Sequence, residues 1–271
     1  MKERLKLALI GKDVSKSDSP KIHTFILEKF GVSCDYELVS VQKKELDGAF
    51  KQLLKEFDGF NVTIPYKRDV IPYLSEVNGD GLAFGAVNTV LTENRAGYNT
   101  DGVGFIRMLA FFGVKVLDQK VLLLGAGGAG RSIALALKRA GARVYAYRRD
   151  EKELKVFCDE LGVFSADKNA LFGYDIVVNA TGVGMHQTVG LSPVGKETFK
   201  GVAWAVDLIY HPSQSEFLRQ AKEMGCKTMN GEGMLFYQAY YSDCYYLNRR
   251  ADDKEADELY LAYRKIFNEG E

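Results

Sequence analysis

The stretch Val121-Leu-Leu-Leu-Gly-Ala-Gly-Gly-Ala-Gly130 decides the fold of the chain around it. Four apolar residues of strand length lead directly into a glycine-rich turn, and the residues after the turn follow the period of a helix. In this context the pattern G-x-G-x-x-G predicts dinucleotide binding, because glycines allow a tight turn and let backbone N–H groups approach a pyrophosphate. A glycine-rich turn that serves only close packing is the alternative.

Apolar runs of strand length alternate with helical patterns on both sides of this stretch. The helices are predicted over residues 21–30, 45–57, 101–112, 128–140 and 255–267. The strands are predicted over residues 7–10, 36–41, 59–64, 87–91, 121–124, 143–147, 176–179 and 203–208. Because strands separated by helices are typical of parallel pairing, the pattern indicates an α/β fold.

Length and charge limit the kind of protein that this can be. A chain of 271 residues corresponds to one large or two small domains. Lys and Arg total 36 and so do Asp and Glu, and this balance argues against a nucleic-acid-binding protein. The apolar run near the N-terminus, Leu7–Ile10, is too short for a signal peptide, and no run approaches the length of a membrane span. We therefore expect a soluble, cytoplasmic protein with no membrane partner.

Cysteine and histidine positions argue against a metal site. Cys34, Cys158, Cys226 and Cys244 lie far apart, and this spacing predicts reduced thiols rather than a zinc site or a disulfide framework. The three histidines are scattered as well, and we expect structural or solvent-facing roles for them: His23, His186 and His211.

The end of the predicted strand 143–147 bears on which dinucleotide is bound. An NAD-binding protein usually has Asp or Glu there, about 20 residues after the first glycine, to accept a hydrogen bond from the ribose 2′-hydroxyl. Here the strand runs into Arg148 and Arg149, and Asp150 follows about two residues too late. Two guanidinium groups favour the 2′-phosphate of NADP. A solvated pair of basic residues is the alternative.

Two polar turns carry a lysine and an aspartate. Asn61-Val-Thr-Ile-Pro-Tyr-Lys67 is a strand end followed by a turn, and Asn99-Thr-Asp-Gly102 places Asp101 at the start of a predicted helix. Taken separately, Lys67 is a candidate surface charge and Asp101 a candidate helix cap. A lysine beside a carboxylate in a cleft, however, provides a proton shuttle for oxidising an alcohol.

Taken together, the motifs resemble the shikimate dehydrogenase family, whose NADP-dependent enzymes interconvert 3-dehydroshikimate and shikimate. The resemblance covers nearly the whole chain. The segments that carry it are Ser17–Pro20, Asn61–Lys67, Gly85–Thr89, Asn99–Gly102, Gly125–Arg131, Asn179–Met185, Asp207–Pro212 and Gly233–Gln238.

The resemblance implies a role for each of several residues. Lys67 and Asp101 are implied to be catalytic, and no metal is implied. The residues implied to bind substrate are Ser17, Ser19, Thr63, Asn88, Tyr210 and Gln238. The residues implied to bind NADP are Gly125, Gly127, Gly128, Ala129, Gly130, Arg148, Arg149, Asn179, Ala180, Thr181, Gly231 and Met234.

The resemblance also implies two α/β domains. Residues 1–103, completed by helices in 234–271, would form the substrate-binding catalytic domain. Residues 104–233 would form a Rossmann-like NADP-binding domain with a parallel sheet. The implied activity is the reversible reduction of 3-dehydroshikimate to shikimate in chorismate and aromatic amino-acid biosynthesis, by a monomer or homodimer.

Two alternative functions are compatible with these motifs. One is a quinate/shikimate dehydrogenase that uses NAD or both cofactors. The other is a non-catalytic NADP-binding regulator, which the presence of both Lys67 and Asp101 disfavours.

Some residues depart from the family pattern, and these departures bear on substrate and cofactor preference rather than on the reaction type. They are Asp13 and Lys16 near the serine turn, Tyr147 and Arg149 beside Arg148, Gly182, and Glu232. The tyrosine-rich stretch 237–246 predicts core or interface packing rather than a cofactor site.

Overall fold

The computed structural model describes residues 2–267 and divides the chain into two compact units. The first consists of the residues up to Gly104 together with those from Leu235 onward, and the second is Phe105–Met234. Each unit contains one sheet and helices. The α/β fold class predicted from the sequence is therefore confirmed.

The helices and strands alternate along most of the chain. Up to residue 111 they are β1 (Arg4–Gly11), α1 (Ser19–Lys29), β2 (Ser33–Ser40), α2 (Leu46–Glu56), β3 (Gly59–Val62), β4 (Glu76–Val77), α3 (Gly79–Phe84), β5 (Thr89–Leu91), β6 (Ala96–Tyr98) and α4 (Asp101–Phe111). The rest are β7 (Lys120–Leu124), α5 (Gly128–Arg139), β8 (Arg143–Tyr147), α6 (Glu151–Leu161), β9 (Phe164–Ser165), β10 (Ile176–Asn179), β11 (Trp204–Asp207), α7 (Glu216–Glu223), β12 (Lys227–Met229), α8 (Glu232–Tyr246) and α9 (Asp253–Phe267).

The sheet of the first unit is mixed, with the strand order β2-β1-β3-β5-β6-β4. Strand β1 is parallel to both of its neighbours, but β5 is antiparallel to β3 and to β6. The prediction of parallel pairing is therefore wrong for β5. Only the short turn at residues 92–95 joins β5 to β6, whereas a parallel connection needs a crossover of about a dozen residues.

The sheet of the second unit is parallel throughout, with the order β12-β11-β10-β7-β8-β9. The chain proceeds outward from β7 in one direction through β8 and then returns to build the other half from β10. The paired ends Leu124, Tyr147, Asn179 and Asp207 lie in register at one edge of this sheet. In open parallel sheets, ligands bind outside the carboxyl ends of the strands at such a reversal of strand order.

Apolar side chains fill both units. In the first, α2 packs on the sheet through residues such as Phe50, which is fully buried against β3 residues including Phe60. In the second, Phe199 and Phe217 pack on β7 and β10. Between residues 2 and 267 no helix combines the length and the apolar composition that crossing a lipid bilayer requires.

The tyrosine-rich stretch forms most of α8 and packs in the core, as predicted. Tyr237 and Tyr240 are fully buried. Their hydroxyl groups donate to carboxylates of α9, Tyr237 to Asp257 at 2.9 Å and Tyr240 to Glu255 at 2.7 Å. The tyrosines thus join α8 to α9.

Candidate active site

Lys67 and Asp101 meet in the first unit as a buried ion pair. The Lys67 Nζ lies 2.5 Å from Asp101 Oδ2, and the two side chains are only 11% and 5% exposed. This arrangement excludes the surface-charge interpretation of Lys67. A cation that has lost most of its water needs such a partner, because leaving it unpaired would cost several kcal/mol.

Local hydrogen bonds place both members of this pair. The turn after β3 is held by the Tyr66 hydroxyl, which donates to the Val41 carbonyl at 2.7 Å, and by the Val87 N–H, which donates to the Lys67 carbonyl at 2.8 Å. At the start of α4, the Asn99 Oδ1 accepts from the Asp101 N–H at 3.0 Å. Asn99 therefore satisfies this backbone donor, and the Asp101 carboxylate is left to face Lys67.

Asn88 orients the other oxygen of the carboxylate. Its Nδ2 donates to Asp101 Oδ1 at 2.9 Å, and its Oδ1 accepts from the backbone N–H of Thr100 at 2.9 Å. Because a backbone N–H can only donate, the orientation of the buried Asn88 amide is settled by its surroundings. Asn88 Nδ2 also lies 3.3 Å from Gln238 Oε1 on α8. We call Lys67, Asp101 and Asn88 the lysine site.

Buried hydroxyl groups that the sequence did not indicate lie beside the lysine site. Ser242 Oγ on α8 lies 2.7 Å from Thr89 Oγ1 and 3.0 Å from Thr100 Oγ1. All three residues are fully buried. A serine so far along the chain from its partners has no local sequence signal, and only the fold brings it to Thr89 and Thr100.

The serines expected to bind substrate lie where β1 leads into α1. Ser17 Oγ donates to Ser19 Oγ at 3.0 Å and accepts from the Ser19 N–H at 3.2 Å. The N-cap residue of α1, Asp18, makes no side-chain capping hydrogen bond, and the helix begins at Ser19. The hydroxyl groups and the positive end of the helix dipole together suit a carboxylate. Thr63, at the end of β3, is partly exposed.

The glycine turn, residues 125–130, cannot carry side chains at two of its positions. Gly125 has φ +102°, and an added Cβ would lie 2.8 Å from the Ala180 carbonyl oxygen. A Cβ on Gly130 would lie 2.4 Å from the Gly125 carbonyl oxygen. At Gly127, by contrast, an added Cβ would meet no protein atom within 4 Å. Two of these glycines are therefore required for packing, and Gly127 faces open space.

The N-terminus of α5 fits a phosphate group. The helix begins at Gly128 with Gly127 as its cap, no side chain bonds to its first N–H groups, and its first turn has no acidic residue. Gly128 and Ala129 in this turn are partly exposed. Uncapped N–H groups and the positive end of the helix dipole are the features that bind phosphates at such turns.

Asn179 and Asp207 stabilise the loop that follows β10. Asn179 is fully buried; its Nδ2 donates to Asp207 Oδ1 at 2.9 Å and its Oδ1 accepts from the Thr181 N–H at 3.0 Å. Asp207 also accepts from Ser215 Oγ at 2.5 Å. Burial nevertheless dominates and raises the pKa of Asp207 to about 6. The Asn179 side chain thus positions Ala180 and Thr181.

The remaining predicted residues of the second unit lie near the end of β11 and the start of α8. A Cβ on Gly231 would lie 2.0 Å from the Leu208 carbonyl oxygen, so this position requires glycine. Met234 is buried, and Tyr210 is partly exposed.

The residues after β8 are engaged with α6. Arg148 forms an ion pair with Glu153 and is 38% exposed, whereas Arg149 is exposed. Asp150 is the N-cap of α6, and its Oδ1 accepts from the Glu153 N–H at 2.9 Å. Because capping occupies Asp150, the acid that follows this strand is committed to the helix, and the exposed guanidinium group beside it belongs to Arg149.

The cysteines carry free thiols, with Cys158, Cys226 and Cys244 buried and Cys34 partly buried. Across residues 2–267, no three His, Cys, Asp or Glu side chains are grouped so that they could hold a metal ion.

Comparison with known proteins adds a family to this geometry. Residues 9–90 match the family described as shikimate dehydrogenase substrate binding domain. Residues 120–197 match the family described as NADP oxidoreductase, coenzyme F420-dependent. A shikimate dehydrogenase (NADP(+)) of Caldicellulosiruptor saccharolyticus is 38% identical over 248 residues, which cover 86% of this chain and 89% of the relative.

Solved structures share the fold over nearly the whole chain. The shikimate 5-dehydrogenase of Thermus thermophilus, in complex with NADP(H) and shikimate, superposes with a TM-score of 0.86 at 35% identity, covering 94% of this chain and 98% of that one. The shikimate 5-dehydrogenase of Listeria monocytogenes, in complex with shikimate and NAD, has a TM-score of 0.79 at 25% identity, with coverages of 94% and 96%.

Proposed function

The chain belongs to the shikimate dehydrogenase family, and from that premise we propose that it catalyses the NADP-dependent, reversible reduction of 3-dehydroshikimate to shikimate, a step of chorismate biosynthesis. The observation that carries this proposal is the buried pair of Lys67 and Asp101, which Asn88 orients within the first unit. The alternative of a non-catalytic NADP-binding regulator gives no reason to bury and align such a pair.

Lys67 is the general acid and base of this proposal. Reduction of a ketone requires a hydride, which NADPH supplies when bound, and a proton. The Lys67 ammonium donates that proton to the oxygen that becomes the hydroxyl group, and the amine takes it back in the reverse direction. Asp101 holds the ammonium in place through its Oδ2 atom. Asn88 prevents the carboxylate from turning away.

Polar side chains hold the substrate. Hydroxyl and amide groups can both donate and accept hydrogen bonds, so they suit a ring that carries a carboxylate and several hydroxyl groups. We assign the carboxylate to Ser17 and Ser19 at the N-terminus of α1. The hydroxyl groups of the substrate are assigned to Thr63, Asn88, Tyr210 and Gln238.

The second unit holds the cofactor. The glycine turn and the first turn of α5, with Gly128 and Ala129, would bind the pyrophosphate, and Arg148 with Arg149 would bind the 2′-phosphate. The remaining contacts are assigned to Asn179, Ala180, Thr181, Gly231 and Met234. On this assignment residues 1–103 with 234–271 form the substrate domain and residues 104–233 the NADP domain. We also propose a cytoplasmic enzyme, monomeric or homodimeric, because free thiols are typical of a reducing compartment.

A matrix of steady-state rates tests the proposal. The purified protein is assayed with shikimate and quinate, each with NADP and NAD, and kcat/KM is expected to be highest for shikimate with NADP. Quinate turnover, or equal rates with NAD, would instead support the quinate/shikimate dehydrogenase alternative. The rates with NAD are worth measuring because the Listeria relative was solved with shikimate and NAD. Tight NADPH binding without turnover of 3-dehydroshikimate would refute the enzyme and revive the regulator.

A further inference from the structure

A second buried pair lies in the first unit, outside the lysine site. His23 Nδ1 on α1 lies 2.6 Å from Asp243 Oδ1 on α8, and both side chains are completely shielded from solvent. The other polar atoms of the pair, His23 Nε2 and Asp243 Oδ2, have no hydrogen-bond partner among residues 2–267. The His23–Asp243 pair is therefore incompletely satisfied in a place that water does not reach.

A contribution to stability alone does not explain the His23–Asp243 pair. Removing two ionisable groups from water costs free energy, and their single mutual bond at 2.6 Å leaves one polar atom of each without a partner. Apolar side chains of similar volume often stabilise a buried position as well as an ion pair, or better. What a buried hydrogen bond between the two helices adds is direction, because the bond at 2.6 Å favours one register of α1 against α8.

The helix α1 leads from this pair to the serines of the substrate site. Ser19 precedes His23 by four residues, which places both on the same face of α1. Tyr36 of β2 stacks on the His23 ring, with centroids 4.7 Å apart and planes at 18°. The Tyr36 hydroxyl donates to Asn61 Oδ1 at 2.8 Å. Movement of His23 would therefore be transmitted to Ser19 through the helix.

The helix α8 leads from the same pair to the lysine site. Asp243 directly follows Ser242, which contacts Thr89 and Thr100, and Gln238 lies one helical turn before Ser242. The Ser242 hydroxyl donates to the Gln238 carbonyl at 2.9 Å. The register of α8 thus decides where the Gln238 amide meets Asn88.

Resting on the function proposed above, we propose that His23 and Asp243 are positioning residues for shikimate binding. They clamp α1 to α8, so that Ser19 and Gln238 stay aligned on the two sides of the substrate. Neither residue is catalytic, because both are fully buried. Disturbing the pair should weaken the binding of shikimate while leaving NADP binding unchanged.

Three variants separate positioning from packing. Asp243→Leu should raise KM for shikimate by about tenfold, the usual loss when a hydrogen bond to a charged group is no longer aligned. Asp243→Asn keeps an oxygen that can accept from His23 Nδ1, so KM should return to within about threefold of the parent. The double variant His23→Leu with Asp243→Leu fills the space with apolar groups. It should recover the melting temperature but keep the raised KM.

Tyr240→Phe is the matched control on the same helix. It removes the two bonds that the Tyr240 hydroxyl donates, at 2.9 Å to the Asp252 carbonyl just before α9 and at 2.7 Å to Glu255 of α9. We expect it to lower the melting temperature and to leave KM for shikimate unchanged.

The double variant supplies the result that would overturn this inference. If its KM for shikimate equals that of the parent, a filled interior is all that the site requires, and the pair has no positioning role. The inference would also be overturned if Tyr240→Phe raised KM for shikimate as much as Asp243→Leu does. Any loosening of α8 would then be sufficient to weaken shikimate binding. Turnover of shikimate by the parent protein tests the proposed function separately. If the parent is inactive, shikimate affinity measured by calorimetry on the same variants replaces KM.

Discussion

The lysine site and the glycine turn are built from different parts of the amino acid. At the lysine site the functional atoms belong to side chains: Lys67, Asp101 and Asn88 are buried and bonded to one another before any ligand is present. At the glycine turn, side chains are excluded, because a Cβ at Gly125 or Gly130 would collide with backbone oxygens. There the backbone N–H groups are the atoms that we propose to bind the pyrophosphate.

This difference explains why the two regions should respond differently to substitution. A network of side chains loses its function when one member is removed, even though the backbone stays in place. A turn whose backbone binds the ligand loses its function when a side chain is added to it. Each of the following measurements tests one side of this contrast.

The largest effect is expected at Lys67. Lys67→Ala removes the group that donates and accepts the proton, so kcat should fall by about 10²–10⁴-fold while KM for shikimate changes little. Steady-state kinetics of the purified variant measure both values. Lys43→Ala is the matched control, since Lys43 is an exposed lysine paired with Asp69. A Lys67→Ala kcat within about threefold of the parent would remove the general acid from our mechanism.

The next effect is expected on substrate binding. Ser17→Ala removes a hydroxyl group assigned to the substrate carboxylate, and a hydrogen bond to a charged group contributes about 1.5–3 kcal/mol. KM for shikimate should therefore rise roughly 10–150-fold, with NADP binding unchanged. Ser15→Ala, on the same loop, is the control, because the Ser15 hydroxyl bonds to Asp13. Weaker NADP binding with unchanged shikimate binding would show that this turn is assigned to the wrong ligand.

A comparable effect, on stability, is expected from Asp207. Burial raises the folded-state pKa of this carboxyl group to about 6, from an ordinary value of 3.8. Between these pH values the folded protein keeps a proton that the unfolded chain has already released. The free energy of unfolding should therefore fall by about 3 kcal/mol as pH rises from about 4 to about 6.

Denaturant titrations at several pH values measure this fall for the parent and for Asp207→Asn. The amide cannot ionise, so the difference between the two proteins isolates Asp207 from the other titrating groups. Parallel curves for the two proteins would mean that the hydrogen bonds from Asn179 and Ser215 offset the effect of burial.

A pair of glycine substitutions separates shape from ligand approach. Gly130→Ala places a methyl group 2.4 Å from a carbonyl oxygen, so it should lower the melting temperature as well as NADP affinity. Gly127→Ala meets no protein atom and should leave the melting temperature unchanged. It should still raise KM for NADP at least about tenfold, because the methyl group obstructs the pyrophosphate. Unchanged NADP kinetics in Gly127→Ala would place the pyrophosphate elsewhere.

The smallest effect is expected at Arg148. The parent should prefer NADP over NAD by at least about tenfold in kcat/KM, and Arg148→Ala should remove most of that preference. Because Arg148 is partly exposed and already paired with Glu153, the preference should also weaken as salt concentration rises. Arg143→Ala, at the other end of β8, is the control. Unchanged NADP affinity in Arg148→Ala would contradict the assignment.

The strands that were predicted have closer bounds in the second unit than in the first. The strands Arg143–Tyr147 and Ile176–Asn179 have the predicted bounds: Ile176–Asn179 is buried throughout, whereas Arg143–Tyr147 buries its alternate residues Val144 and Ala146. In the first unit, β4 and β6 have only two and three residues, so no periodic pattern could be recognised in them.

Two helices of the second unit were not predicted. In α6, however, a signal exists: Leu154, Phe157, Cys158 and Leu161 are the buried residues and have helical spacing, and Gly162 ends the helix in a left-handed conformation. The helix α7 has only eight residues, of which Phe217, Leu218 and Ala221 are buried, so its apolar pattern extends over only about two turns.

The residues of the candidate site also differ in how far the sequence could predict them. Resemblance to a family pointed to Lys67, Asp101 and Asn88, and their meeting in the fold is what the structure adds. Ser242 and the His23–Asp243 pair could not be found from the sequence, because His23 and Asp243 lie 220 residues apart and nothing local marks them as partners. Contacts of this kind depend on how α8 returns to the first sheet.

The orientation of the Asn88 amide determines how the two carboxylate oxygens of Asp101 are used. Since Thr100 donates to its oxygen, Asn88 presents a donor to Asp101, and Lys67 presents another to the second carboxylate oxygen. Both oxygens of Asp101 are thus occupied as acceptors, and a proton placed on either would face a donor. An ammonium has three N–H groups, and among residues 2–267 Asp101 is the one partner of the Lys67 ammonium. On the mechanism proposed above, the bond that anchors the lysine is therefore separate from those through which it would exchange protons, and each cycle would end with the anchor intact.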